Sequence, residues 1–256
     1  MTPIDTTLIQ VIASRCGVTV RQAEHTVQLL AEGATVPFIS RYRKERTGGL
    51  DEVQVSAVKV QFERLSELEK RKETILASID EQGKLTPELR MKIEQCYEGA
   101  PLEDLYLPYR PKRRTRATVA REKGLEPLAA MLMRQDGARP DRLAERFVGG
   151  EVHDLQEALD GACDIIAEWV SESEAARSAM RRLFTREGVI SARVVKGKEQ
   201  EGAKYSDYFD WSEPLRRVAA HRLLAMVRAE REGFIKLSVL PDESAAVEQL
   251  ERIFIK

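Results

Sequence analysis

The densest concentration of one kind of chemistry in the chain lies at residues 109–123, YRPKRRTRATVAREK. Seven of these fifteen side chains are basic and Glu122 is the one acid, so the segment carries +6 inside a chain whose formal net charge is −1. Arg110, Lys112, Arg113, Arg114 and Arg116 form its core, and Arg121 and Lys123 complete it. Guanidinium and ammonium groups at this density suit a phosphate backbone, with Tyr106 and Tyr109 nearby as rings for base stacking. Pro108 and Pro111 are expected to hold the segment extended. A second run, RYRKER, places Arg41, Arg43, Lys44 and Arg46 against Glu45 alone. If that run is helical, Arg43 and Arg46 fall near each other, and Ile39 and Tyr42 can point inward. Both runs have a plainer reading as well. Each can be a solvated face, or can pair with acidic helices of this protein or of a partner.

Other chemistry finds no support in the residue pattern. There is no phosphate-binding glycine loop, no G-x-S-x-G and no H-E-x-x-H, so no catalytic residue is assigned. His25, His153 and His221 stand alone, and no Cys/His cluster has zinc-ligand spacing. Adjacent Glu103 and Asp104 read as a helix-end pair rather than a metal site. No metal, cofactor or small-molecule substrate is called for.

The elements that must carry the two runs are mostly helical. Ile4, Leu8, Val11 and Ile12 recur at helical spacing, Gly17 breaks the run, and Thr19 can cap a second helix carrying Ala23, Val27 and Leu30. This pair resembles a helix-turn-helix, but Arg21 balanced by Glu24 does not suit a groove reader, so a hairpin closing a helical bundle is the expected form. Pro37 and the pair Gly48–Gly49 punctuate the next stretch. From about Asp51 to about Gln82, Val58, Phe62, Leu65, Leu68, Ile75 and Ile79 line one face of a long helix, with ion pairs on its wet side. Thr86-Pro87 starts another helix. Pro101 to Pro111 reads as loop. Helical pattern returns at 124–135, 141–148, 152–173 and 174–184. Near residue 188 the texture changes: GVISARVVKGKE and FIKLSVLP read as strands. Between them, Ser212 is expected to cap a helix that turns Val218, His221, Leu224, Ala225 and Val227 inward.

These elements predict a mainly α fold, an elongated multi-helix bundle with a helix-turn-helix-like N-terminal hairpin and a small α+β region near the C-terminus. The expected division is a helical region over 1–187 and a small mixed segment over 188–256. The composition, 43% apolar and 32% charged, fits a folded and helix-rich protein. No stretch reads as a membrane span or a signal peptide. Cys16, Cys96 and Cys163 read as free thiols in a reducing compartment, so the expected location is the cytoplasm. The chain stops at EQLERIFIK inside a mixed apolar and charged pattern, which suggests a piece of a longer polypeptide.

Four long stretches carry a family resemblance. ATVPFISRYRKERTGGLDEVQ at 34–54, EKRKETILASIDEQGKLTPEL at 69–89, LEDLYLPYRPKRRTRATVAREKGLEPLA at 102–129 and KYSDYFDWSEPLRRVAAHRLLAMVRAEREGFIKL at 204–237 resemble the N-terminal region of the Tex family. These are bacterial transcription accessory proteins, similar to a eukaryotic transcription elongation factor. The resemblance implies a helical N-terminal region followed elsewhere by a ribonuclease-H-like domain, a helix-hairpin-helix region and an OB-fold RNA-binding domain, to which the main nucleic-acid contacts are attributed. It therefore implies RNA or DNA, bound through the backbone with little sequence preference, and possible contact with the transcription machinery. It carries no catalytic residue onto this chain. The alternative it leaves open is a protein-interaction scaffold, in which the basic loop docks the transcription machinery or downstream domains without touching nucleic acid.

Overall fold

The computed structural model describes residues 6–111 and 113–256, and the chain divides into two compact units at the Tyr109/Arg110 boundary. The fold is mainly α, with one small antiparallel sheet late in the chain.

The first unit opens on a helical hairpin, Thr6–Cys16 (α1) and Val20–Ala31 (α2). Thr19 starts α2 reciprocally. The Gln22 amide donates to the Thr19 hydroxyl at 3.3 Å, and the Thr19 amide donates to the Gln22 side chain at 3.0 Å. The hairpin buries Leu8, Ile9, Ile12 and Ala13 from α1, with Ala23, Val27 and Leu29 from α2. Leu30 and Val11 remain half-buried, and Ile4 lies outside the described residues. Two short helices follow, Val36–Tyr42 (α3) and Lys44–Thr47 (α4).

Glu52–Glu81 (α5) is the spine of this unit. Its 30 residues run roughly 45 Å at 1.5 Å per residue. Asp51 caps it, accepting from the Gln54 amide at 2.7 Å. One half of α5 packs Val58 and Leu65 against the hairpin. The other packs Ile75 and Ile79 against Ile93 of Pro87–Glu94 (α6) and Leu102 and Tyr106 of Gly99–Tyr106 (α7). Helix α7 corrects the expected loop at 101–111: Pro101 sits in its first turn, where proline is tolerated, and a 3₁₀ turn continues to Tyr109. One charge of α5 is not on its wet side. Lys72 is 3% exposed, and its ammonium donates to Glu69 and to the Glu94 carbonyl, both at 2.7 Å, over the Tyr97 ring. A buried cation of this kind persists only when its donors are satisfied.

The second unit is built on two long helices and the sheet. Arg116–Glu122 (α8), Glu126–Arg134 (α9) and Pro140–Ala144 (α10) surround Leu155–Glu172 (α11), burying Ala117, Ala120, Leu125, Leu128 and Ala144 against Ala158, Ala162 and Ile165. Gly161 lets the α8–α9 corner approach: a Cβ there would collide with the Leu125 side chain and sit 3.3 Å from Ala120. Glu174–Glu187 (α12) leads into Val189–Val194 (β1), the central strand, flanked antiparallel by Asp210–Pro214 (β2) and, beyond Ala220–Arg231 (α13), by Ile235–Leu240 (β3). Glu243–Phe254 (α14) follows. The texture change near 188 is thus the start of β1.

Two expectations here are corrected. Ser212 is not a helix cap; it lies in β2 opposite Ser191, hydroxyl to hydroxyl at 3.2 Å. A five-residue, half-exposed strand becomes legible only through the strand it pairs with. Helix α13 turns Met226 and Ala229 to the sheet and leaves Leu224 (70%) and Val227 (47%) exposed. His221 is exposed too, so the buried stripe lies beside the expected one. Among the described residues no helix is long and apolar enough to cross a membrane, and the three cysteines are free thiols.

Candidate nucleic-acid interface

The run at 41–46 spans α3 and α4. Thr35-Val36-Pro37 starts α3 with proline in its first turn, which buries Ile39 and Ser40 and turns the opposite face outward. Tyr42 departs from its expected inward position: it is 65% exposed, with Phe38 at 40% beside it. Their ring centroids are 5.6 Å apart, and the Arg43 guanidinium lies 5.3 Å over the Phe38 ring. Buried Thr47 bonds back to the Arg43 and Lys44 carbonyls, and Gly48, at φ 64°, reverses the chain toward α5. That left-handed turn favours glycine, and a Cβ would press to 3.1 Å on the Gln22 side chain.

Arg43 and Arg46 are neighbours through the backbone, the Arg46 amide donating to the Arg43 carbonyl at 3.1 Å, while their side chains make different contacts. Arg46 reaches Gln28 at 3.4 Å, and its carbonyl accepts from His25 Nδ1 at 2.7 Å. Arg41, Arg43, Lys44 and Arg46 are all exposed, and none forms an ion pair with a carboxylate among the described residues.

The run at 109–123 is arranged differently. Lys112 lies outside the described residues. Arg110 and Arg113 are exposed and form no ion pair among the described residues. The four remaining cations meet acids of their own unit. Arg114 pairs with Glu122 at 2.8 Å and Arg116 with Asp164 at 3.3 Å. Arg121 reaches Glu168 at 2.7 Å and Glu126 at 3.3 Å, and Lys123 pairs with Glu157. The Lys123 hydrogen bond, joined by the His153 amide, holds the Glu157 carboxyl below its ordinary range.

The expectation of an extended segment is not met at Pro108 and Tyr109, which lie in the 3₁₀ turn, or from Arg116 onward. From there the chain is helix α8, capped by Thr115, whose hydroxyl accepts from the Thr118 amide at 3.1 Å and donates to Glu168 at 3.2 Å. The prolines precede this cap, so they leave α8 free to form. Nor does Tyr106 offer a free ring: it is 8% exposed, bonded through its hydroxyl to Ser78 and covered by Arg71. Tyr109 is half-buried against the α5–α7 core. The exposed ring pair near a basic run is Phe38 and Tyr42, and their i, i+4 spacing inside RYRKER's approach was the available signal. Among the described residues, no three His, Cys, Asp or Glu side chains converge as a metal site.

A helical region bearing two exposed cationic segments and a three-stranded antiparallel sheet defines the class of protein. Sequence comparison makes it specific: the Tex-like protein N-terminal domain model matches residues 6–80 and the Tex central region-like model matches residues 135–255. The chain belongs to the Tex family. It is 42% identical to Transcriptional accessory protein Tex of Neisseria gonorrhoeae over 246 residues, which is 95% of this chain and 32% of that relative. It is 46% identical to Protein YhgF of Escherichia coli over 91% of this chain and 30% of that protein. It is 26% identical to human S1 RNA-binding domain-containing protein 1 over 91% of this chain and 24% of that protein. The chain thus spans about a third of the length of the bacterial relatives.

Proposed function

We propose that this chain is the N-terminal helical portion of a transcription accessory protein that binds RNA or DNA through its backbone, works in the cytoplasm, and acts by binding rather than catalysis. The observation that carries the reading is the patch on α3 and α4. There Arg41, Arg43 and Lys44 are exposed, without carboxylate partners among the described residues, beside the outward rings of Phe38 and Tyr42. Cations of this kind take phosphate oxygens and release counterions, while the rings stack on bases without selecting among them. Arg110 and Arg113 add a smaller contact in the second unit. Arg114 and Arg116 join only by exchanging a carboxylate for a phosphate, which their 71% and 87% exposed side chains permit at little cost. The relatives' names, a transcriptional accessory protein and an S1 RNA-binding domain-containing protein, agree with this reading.

The test is a fluorescence-anisotropy titration of the chain with short single- and double-stranded RNA and DNA, at low and moderate salt. The expected result is salt-sensitive binding with little base preference, lost when Arg41, Arg43, Lys44 and Arg46 are all changed to Ala. Salt-insensitive binding, or none by the folded wild type, overturns it.

A second reading, a scaffold docking the transcription machinery or downstream domains, is favoured by Leu224 and Val227, which α13 turns outward. It predicts that a purified downstream segment of a relative binds in trans, and that Leu224→Ser with Val227→Ser abolishes this without changing oligonucleotide binding. Unchanged capture by that variant removes the reading.

A further inference from the structure

A third basic site lies in neither of the runs described above. Ser178, Arg181, Arg182, Thr185 and Arg186 on α12, with Arg216 from the 3₁₀ turn after β2, line a hollow of about 460 Å³. The hollow is open to solvent and large enough to admit one phosphate group. Four of the six lining side chains are guanidinium groups, two carry hydroxyls and none is a carboxylate.

The hydrogen bonds pre-arrange the donors. Arg182 donates one N–H to the Ser178 hydroxyl at 2.8 Å, leaving that hydroxyl's own proton to donate elsewhere. Arg216 donates one N–H to the Arg186 carbonyl at 3.4 Å, which tethers the turn after β2 to the end of α12. A guanidinium carries five N–H donors, so each keeps donors for a ligand. Neither Arg182 nor Arg216 meets a carboxylate among the described residues. Arg186 pairs at 2.7 Å with Glu187, which does not line the hollow.

A basic residue at a helix C-terminus is ordinarily explained by the helix dipole. That accounts for Arg186. It does not account for Arg216, which is brought from 30 positions along the chain to the same hollow. Arg182 and Arg216, neither facing a carboxylate among the described residues, thus meet at one hollow, which favours an anion between them. Guanidinium forks match the tetrahedral oxygens of phosphate in pairs, as a point-charge ammonium does not.

We infer that this hollow is a phosphate-binding site, in which Arg182 and Arg216 clamp one phosphate group and Ser178 donates to it. The phosphate can come from a free phosphate-bearing molecule or from a polynucleotide backbone. The site is independent of the α3–α4 patch.

The test uses the whole chain with ¹⁵N-labelled arginine and follows the Nε–Hε resonances during titration with pyrophosphate, then with a short single-stranded oligothymidylate as competitor. Saturable shifts with pyrophosphate are expected, weakened about tenfold in Arg182→Ala/Arg216→Ala, the loss of a good fork contact. Arg182→Lys/Arg216→Lys, which keeps the charge, is expected to fall between and carries the test if the Ala variant unfolds. Displacement by the oligothymidylate assigns the site to a backbone, and its absence assigns it to a free phosphate. No saturable shift in the wild type overturns the inference, as do alanine or lysine variants that bind as tightly as arginine. The Arg41/Arg43/Lys44/Arg46 alanine variant should titrate with pyrophosphate like the wild type, so failure of the nucleic-acid reading leaves this result standing.

Discussion

The two basic runs look alike as strings and differ in what faces them. At 41–46 the cations stand on and between two short helices and form no ion pair among the described residues, and an aromatic pair lies beside them. At 116–123 the cations lie on α8 and its C-cap, and the partner helix α11 offers Glu157, Asp164 and Glu168 to them. The longer run, with the larger number of cations, is therefore the more fully neutralised one. Charge density along a sequence reports supply; what remains for a partner depends on which acids the fold brings within about 4 Å.

The largest effect should come from removing the unmatched run. Changing Arg41, Arg43, Lys44 and Arg46 to Ala should lower oligonucleotide affinity on the order of a hundredfold at low salt and flatten the salt slope by about three for a single strand. Since all four are exposed, stability should move by only about 0.5 kcal/mol per position or less; anisotropy and thermal melts check both. Equal losses from Arg114→Ala/Arg116→Ala would erase the distinction between the runs.

Next, Phe38→Ala and Tyr42→Ala should each cost about 1–3 kcal/mol of single-strand binding and leave the salt slope unchanged, because no counterion is released by a ring. A changed slope would mean that the rings act only by holding Arg43.

A smaller effect of opposite sign is expected in the second unit. Glu168→Gln removes the 2.7 Å partner of Arg121, a pair whose side chains are 11% and 27% exposed. It should cost about 1–3 kcal/mol of stability while raising oligonucleotide affinity about threefold, as an arginine is released for phosphate. Affinity that stays level would show that the pairing does not mask this run.

The smallest and most local effect concerns pH. Lys204 first, then Arg228, hold Glu232 at a pKa of about 2 against an ordinary 4.5. A depressed carboxylate contributes stability that is complete above the ordinary value and is lost as pH falls from about 4.5 toward about 2. Carboxyl NMR titration should place the Glu232 midpoint near the lower figure, and Lys204→Met should move it upward. An unmoved midpoint would assign the depression to Arg228 instead.

Much of the architecture was legible because its causes are local. The limits of α5 follow from the Asp51 cap and the apolar stripe through Val58, Leu65, Ile75 and Ile79. The α1–α2 hairpin follows from Gly17 and Thr19, and β1 and β3 from their β-branched residues. Where Pro101 masked α7, or where β2 needed β1 to exist, local signals were not enough. The same holds for the site. Every cation is visible in the string, but the string points Tyr42 inward and Tyr106 outward, the reverse of the fold, because ring exposure depends on which helices pack over the ring.

The sequence by itself thus determined the start of α2, the limits of α5, the places where positive charge is supplied and the membership in the Tex family. Only the tertiary structure decided which of those charges remain open. Lys123 meets Glu157 across 34 positions and Thr115 meets Glu168 across 53, because Gly161 lets the α8–α9 corner close against α11. Caps and periodicity act over a turn or two of chain, whereas an ion pair depends on distance in space, and the docking of two helices is what sets that distance.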